Sequence, residues 1–456
     1  MGEHAESEGQ RPGFLNFIKK PLVIIIIAGL VIRGILFPLF TYNYDISFWA
    51  TTIQHIQSGN GLFSLPGYYY TPVWGYFLGF MGLIATYVFR IASFGTIGGD
   101  LLPSFGADWE FYGTMVVSPE FSIFVKSFIT IFDLLCAYLI YVIVKRFKHS
   151  DREATIAFGL WFLCPLVIYT SAIQATFDSI SIAFMLLTLV LIIDRRYAFA
   201  GASLATAALT KFFPAYLAFI FLAYILKKNQ DKISRAKSVL LASIGAVVAS
   251  TIILLPQILS GTLPQAFGFV SDRVSWAEDV AQSSWESIET IGIFVVMILQ
   301  LLIFALLIMI AYKAYKTDDS KFDKTFMLLL LISSTLVFLW TPAPTYLLVV
   351  IPFLAYIVAT AKSKQQKRYI WSLVLISITA TAYAIMMHNY SILFQSSIYF
   401  DLVSADTILN GIEWLNHSIA PGFTRQTLLN IIAGAAETFA IYSVFIIYIY
   451  NWRETK

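Results

Sequence analysis

Apolar runs of about twenty residues recur along this chain, separated by short polar stretches rich in lysine and arginine. A helix of that length is about 30 Å long, the thickness of a bilayer's hydrocarbon core. The runs predict membrane spans at roughly 20–41, 121–146, 154–172, 178–194, 237–258, 289–314, 325–341, 345–361, 369–387 and 427–451. Residues 198–226 read as two short spans meeting at Lys211–Pro214, because proline interrupts a helix and a lysine at membrane depth marks a break. The resulting fold class is all-α: a polytopic transmembrane bundle of about 12 helices, one integral membrane domain over residues 1–456.

The polar stretches orient it. Basic loops stay on the cytoplasmic side. Seven clusters, from Arg11/Lys19/Lys20 to Arg453/Lys456, hold 24 of the 30 basic residues. One topology places all seven together, with both termini inside. It requires the split at Lys211–Pro214. It also requires that residues 70–92 do not cross, so they read as an interfacial or re-entrant helix on the outer face. Three larger outer loops follow, 42–120, 259–288 and 388–426, as the expected active-site face. The start of the chain has no small-residue cleavage pattern and reads as a polar tail before a first membrane helix.

Composition narrows the class. The chain is 58% hydrophobic and 12% charged, with a net charge of +3. A soluble domain carries about 25% charged residues. Nothing in the balance points to nucleic acid. Cys136 and Cys164 both fall in apolar runs, so neither a disulfide framework nor a thiolate metal site is supported, and the five histidines have no ligand spacing.

The basic residues outside the clusters are Arg33, Arg90, Lys126, Lys211, Arg273 and Arg425. On this topology 16 of the 27 acidic residues also fall in spans or outside, which aims the chemistry outward. Asp45, just after the first helix, suits a general base or a helix cap. Gln174 and Asp178 share a tight outer turn, where Asp178 serves equally as a cap. Lys211 at the hairpin tip could hold a phosphate or snorkel. Arg273 suits an anion or a local pair with Asp272 or Glu278. Trp285 suits sugar stacking or an interface anchor, and Tyr346 sits in an outer turn between two spans, where an aromatic belt residue is expected. Arg33 and Asp133, inside spans, read as a structural ion pair.

In their order these features resemble the GT-C superfamily of polyprenyl-phosphate-sugar-dependent glycosyltransferases. The likeness is closest to mannosyltransferases typified by the catalytic subunit of GPI mannosyltransferase I and to similar prokaryotic enzymes. The matching stretches are Asp45 after the first helix, HIQSGNGLF, YYYTPVWGYFL, FDLLCAYLIYVIVKRF, AIQATFDSISIAF, ALTKFFP, the segment from Arg273 to Trp285, and TPAPTYLLVVIP. They cover about residues 20–360. The resemblance implies an inverting transfer, with mannose the first sugar to consider. Asp45 is then the catalytic base, and Lys211 and Arg273 hold the donor phosphate. Gln174, Asp178, Trp285, Tyr346, His55 and Tyr70 bind substrate. It implies no metal or cofactor, and as partners the bilayer, a polyprenyl- or dolichyl-phosphate sugar donor and a lipid- or glycan-linked acceptor, with room for a small accessory membrane subunit. The site would face outward from a prokaryotic cell membrane or into the lumen from the ER membrane. The insertion of residues 78–120 departs from the family pattern. A secondary transporter, which also uses broken helices and ions at the midplane, and a lipid-linked polysaccharide polymerase or ligase are the alternatives.

Overall fold

The computed structural model describes residues 20–68, 70–96, 115–229, 231–268, 289–340 and 344–453. Helix α1 (Pro21–Leu36) leads through a turn into α2 (Asn43–Gln57). Helix α3 (Pro72–Leu83) starts on a proline and widens into a π-helical turn at Ile84–Val88. A two-residue strand β1 (Gly95–Thr96) pairs antiparallel with β2 (Val116–Val117). Ser118 then caps α4 (Pro119–Lys148), its side chain accepting from the Phe121 N–H at 3.2 Å. Next come α5 (Asp151–Phe162) and α6 (Pro165–Tyr169), the latter running into a π-helical turn at Thr170–Gln174. The chain continues with α7 (Asp178–Ile193), α8 (Tyr197–Ala208), α9 (Ala218–Lys228) and α10 (Lys232–Ser260). A single turn α11 (Leu263–Ala266) precedes α12 (Glu289–Lys316), α13 (Phe322–Trp340), α14 (Ile351–Thr360) and α15 (Ser363–His388). The last part holds α16 (Phe394–Phe400), α17 (Ala405–Asn416), a small ribbon of β3 (Ser418–Ala420) and β4 (Phe423–Thr424), and α18 (Arg425–Arg453).

The all-α class holds, but the count of twelve spans does not follow from these helices. Among the described residues three helices are long and apolar enough to cross a membrane: α4, α10 and residues 365–388 of α15. Two bent pairs raise the number to five when each is taken as one span: residues 151–174, bent by 46°, and 300–338, bent by 114°. The expected span 154–172 is broken at Cys164, because Pro165 has no N–H to continue the helix. Helices α1, α7 and α14 are apolar but only 16, 16 and 10 residues long. The outer faces of α1, α10 and α12 expose Ile24, Val31, Val247, Ile252, Leu259, Leu301 and Met309. An apolar surface of that extent is the face a membrane protein turns to lipid.

Helix α4 gives the molecule its axis. Near its start, Lys126 Nζ donates to the Phe37 and Phe40 carbonyls at 2.9 and 2.7 Å and to Thr41 Oγ1 at 2.6 Å. Near its end, Arg146 pairs with Asp194 at 2.6 Å and Lys145 with Asp151 at 2.7 Å. Twenty residues of helix separate the two places by about 30 Å. Lys227 and Lys228 reach Asp319 and Asp323, so the basic clusters on α9 and around α13 meet each other. The clusters at 145–152, 195–196, 227–237 and 313–324 thus gather at one end, as the charge pattern predicts.

The hairpin carrying Lys211 starts at that basic end, turns at the lysine and returns to it. Helices α8 and α9 hold 12 and 11 residues, about 17 Å each, so the hairpin reaches only part way through a bilayer. It is fixed by backbone contact with α10. A Cβ on Gly201 would strike the Ala242 carbonyl, and one on Gly245 would strike the Ala198 carbonyl. Small residues permit such close helix crossings in membranes. Helix α3 closes over the hairpin tip, with Thr71 Oγ1 donating to the Thr210 carbonyl at 2.8 Å and the Val73 N–H to Leu209. Beyond the tip it leaves Phe80, Leu83, Tyr87, Val88 and Phe89 exposed, which suits an interfacial piece.

Candidate active site at the end opposite the basic clusters

The chain segment that carries Asp45 is held from several sides. The Thr41 N–H donates to Ile392, and the Tyr42 N–H to Ile173 at 2.8 Å. Thr41 Oγ1 also donates to Gln395. With Lys126 bridging the carbonyls above, the entry to α2 has little freedom. Asp45 lies in the first turn of α2 after Tyr42, so it is not the cap residue. It is 9% exposed, and its Oδ2 accepts from Gln174 Nε2 at 3.3 Å. Burial raises the Asp45 carboxyl to about 7. The Gln174 hydrogen bond and the Lys211 charge oppose that rise, and the Asp178 charge adds to it.

Asp178 begins α7 after Phe177 and likewise is not its cap. Both of its oxygens accept from Lys211 Nζ at 2.8 Å. Side-chain exposure in this pair is 12% for the lysine and 1% for the aspartate. The same ammonium lies 4.8 Å from the Phe177 ring centre and 5.0 Å from that of Tyr346. Around it stands an aromatic wall. Trp74 stacks on Phe177 at 4.7 Å, and Trp49 meets Trp74 edge-on at 5.3 Å. Tyr70 packs against Trp49 and Phe177 at 5.3 and 5.4 Å. Trp49 Nε1 donates to the carbonyl of Ala175, a residue with φ of +59° that closes the π-helical turn. Gln174 Oε1 and Thr176 Oγ1 are buried with no hydrogen-bond partner among the described residues.

The structure therefore brings together Asp45, Gln174, Asp178, Lys211, Tyr346 and Tyr70. His55 is apart from them. It lies ten residues along α2, about 15 Å from Asp45, with Nε2 on Ser64 Oγ at 2.9 Å. Arg273 and Trp285 lie outside the described residues. An apolar cleft of about 260 Å³ opens next to the hairpin tip, lined by Thr71, Leu209, Phe212, Leu254 and Phe267 among others.

Beneath the site sits the buried pair expected from the sequence. Arg33 Nη2 meets Asp133 Oδ2 at 2.9 Å with both side chains fully enclosed. Arg33 also donates to Ser171 and to the Phe162 carbonyl, and Asp133 accepts from Ser179. The network joins α1, α4, α5 and α7 under Asp45 and Asp178. Two further residues have no sequence signal. The His388 ring stacks on Tyr42 at 3.7 Å, and its Nδ1 shares a 2.7 Å hydrogen bond with the Tyr169 hydroxyl. The C-terminal part of the chain thus reaches the entry to α2.

A comparison with curated proteins gave no match. Residues 110–277 match the family model described as GPI transamidase subunit PIG-U. The matched stretch holds Gln174, Asp178 and Lys211, and it excludes Asp45, Tyr70 and Tyr346. What the chain resembles over that stretch is a membrane protein family whose description is a subunit rather than a mannosyltransferase.

Proposed function

We propose that this protein is a membrane glycosyltransferase that moves a sugar from a polyprenyl-phosphate donor to a hydroxyl of a lipid- or glycan-linked acceptor. One observation carries the reading. A buried carboxylate raised to about 7, Asp45, stands within electrostatic reach of an aromatic-walled lysine, Lys211, at the end of the molecule away from the basic clusters. A general base works best with a pKa near the operating pH. Asp45 takes the proton of the acceptor hydroxyl while that oxygen attacks the anomeric carbon. The bond from the anomeric carbon to the phosphate oxygen breaks, and the phosphate leaves with the electron pair. Lys211 carries three N–H donors, two of them directed to Asp178, so one remains for a phosphate oxygen. Gln174 Oε1 and Thr176 Oγ1 offer polar partners to sugar hydroxyls. The apolar cleft beside Phe212 suits a prenyl chain. Mannose is the sugar to try first, and a site facing outward or lumenally fits the charge pattern.

The match over residues 110–277 favours a second reading: a subunit that binds a lipid-linked glycan without transferring it. The matched stretch contains the Lys211–Asp178 pair and not the base. Purified protein supplied with radiolabelled polyprenyl-phosphate-mannose and an acceptor glycolipid separates the two. Transfer that Asp45→Asn abolishes supports the enzyme. Tight binding of the lipid with no transfer by the wild type supports the subunit and sinks the enzyme.

A further inference from the structure

At the basic end, four acidic side chains are already engaged. Asp151, Asp194, Asp319 and Asp323 pair with Lys145, Arg146, Lys227 and Lys228. Several exposed lysines at that end pair with no carboxylate among the described residues, Lys148, Lys324 and Lys362 among them. These three come from separate places, the last turn of α4, the first turn of α13 and the residue before α15. Yet all three line one cavity of about 290 Å³, together with Tyr356, Thr360 and Gln365, over an apolar floor supplied by α13 and α14.

Convergence of three like charges on one cavity costs repulsion, and two of them work against their own helices. Helices α13 and α15 both begin here, and the start of a helix carries partial positive charge that favours anions and opposes lysine. The same arrangement suits a bound anion on every count. Helix N-termini and ammonium groups present donors to a phosphate, and the Thr360 hydroxyl, which donates to the Tyr356 carbonyl at 2.9 Å, is polar lining. The carboxylates within electrostatic reach of Tyr356 are Asp323, held by Lys228, and Glu153, which has no ion-pair partner among the described residues. One free carboxylate against three ammonium groups leaves the cavity positive.

We propose that this cavity binds a phosphate group: the headgroup of an anionic phospholipid in the leaflet at the basic end, or a soluble phosphate with the same chemistry. Basic pockets between membrane helices are suited to such headgroups. The site lies at the end of the molecule opposite Lys211 and Asp45 and does not depend on the reading given to them.

The test uses the full-length protein in neutral detergent with three probes: phosphatidylglycerol, phosphatidylcholine and inorganic pyrophosphate. Binding is read by native mass spectrometry and by the shift in unfolding temperature. The variant K148Q/K324Q/K362Q is compared with the charge-matched control K232Q/K237Q/K316Q, whose lysines lie outside the cavity. A lysine near an anionic headgroup contributes roughly a fivefold change, so the cavity variant should bind phosphatidylglycerol more than about tenfold more weakly. The control should stay within about twofold. Saturable phosphatidylglycerol binding that pyrophosphate does not displace identifies the lipid. Displacement, or pyrophosphate binding alone, identifies a soluble phosphate. Wild-type protein with no preference for phosphatidylglycerol over phosphatidylcholine and no pyrophosphate binding overturns the proposal. Equal loss in the cavity variant and the control also overturns it, since that is diffuse surface charge. Where the triple variant fails to purify as a folded monodisperse species, K324Q and K362Q singly carry the same comparison.

Discussion

The two ends of the molecule use the same lysine–aspartate and arginine–aspartate chemistry with opposite consequences. At the basic end, Arg146 and Asp194 are each about one-third exposed. Water competes for both partners, and such a pair contributes about 0–1 kcal/mol. At the site end, Lys211 and Asp178 are nearly enclosed, and Arg33 and Asp133 wholly so. Taking charges out of water costs several kcal/mol per ion, so an enclosed pair persists only where geometry and further hydrogen bonds compensate. The difference separates roles: exposed pairs mark which side a loop is on, and enclosed pairs fix the position of the groups beside them.

The comparison is tested most severely at Asp45. Asp45→Asn should reduce transfer by about 10²–10⁴-fold, the usual cost of losing a general base. The pH dependence gives a second reading on the same protein. The carboxyl rises from 3.8 in the unfolded chain to about 7 in the fold, so the native state holds a proton that the unfolded state releases between these values. The stability that Asp45 contributes is therefore full below about pH 4 and lost as pH rises through about 7. Activity should climb over the same upper range as the base ionises. Asp45→Asn should flatten both the rate profile and that part of the stability profile. A folded Asp45→Asn protein that transfers sugar at the wild-type rate removes Asp45 from the chemistry.

Arg33→Met should come next. It leaves Asp133 enclosed without its cation, at a cost of about 3–5 kcal/mol, visible as a large drop in unfolding temperature. The double variant Arg33→Met/Asp133→Leu should recover much of it. A single variant as stable as wild type would mean that the pair does not hold the site. Lys211→Ala should weaken donor binding and turnover together, because a phosphate is present in both ground and transition states. A fall in turnover alone would place the phosphate elsewhere. At the basic end, Arg146→Ala should change stability by no more than about 1 kcal/mol and leave turnover untouched.

The smallest effect concerns sidedness. Two N-x-S sequons, at Asn389 and Asn416, lie in the expected outer loop 388–426. Ser391 is fully buried and its hydroxyl donates to the His388 carbonyl, whereas Asn416 and Ser418 are exposed. In a glycosylating host, Asn416 should acquire a glycan and the Asn389 sequon should remain bare. A glycan at a sequon newly placed near Lys228 instead would invert the topology.

Ionisable residues made the candidate cluster legible from the sequence. In a chain this apolar, Asp45, Asp178 and Lys211 stand out as charges in spans or on the outer face, and the seven basic clusters dictate the break near Lys211. The Arg33–Asp133 pair could be anticipated for the same reason. Span lengths were less legible, because average hydropathy reads straight through Cys164–Pro165 and counts the short helices α7 and α14 as full crossings. Trp49, Trp74 and Phe177 gave no signal of their own, since aromatic residues are ordinary in membrane sequences. His388 was invisible for another reason: it stacks on Tyr42 across 346 positions of chain, a contact that only the folded path creates.

The glycine contact between α8 and α10 acts as a fulcrum. Gly201 and Gly245 let two backbones touch, and Lys211 lies ten residues beyond Gly201 on the same hairpin, about 15 Å away. A single methyl group at Gly201 cannot be absorbed by rotating a side chain, because what it strikes is the Ala242 carbonyl. The helices must part, and the hairpin tip swings with them. The position of one ammonium group is therefore set in part by two glycines remote from it.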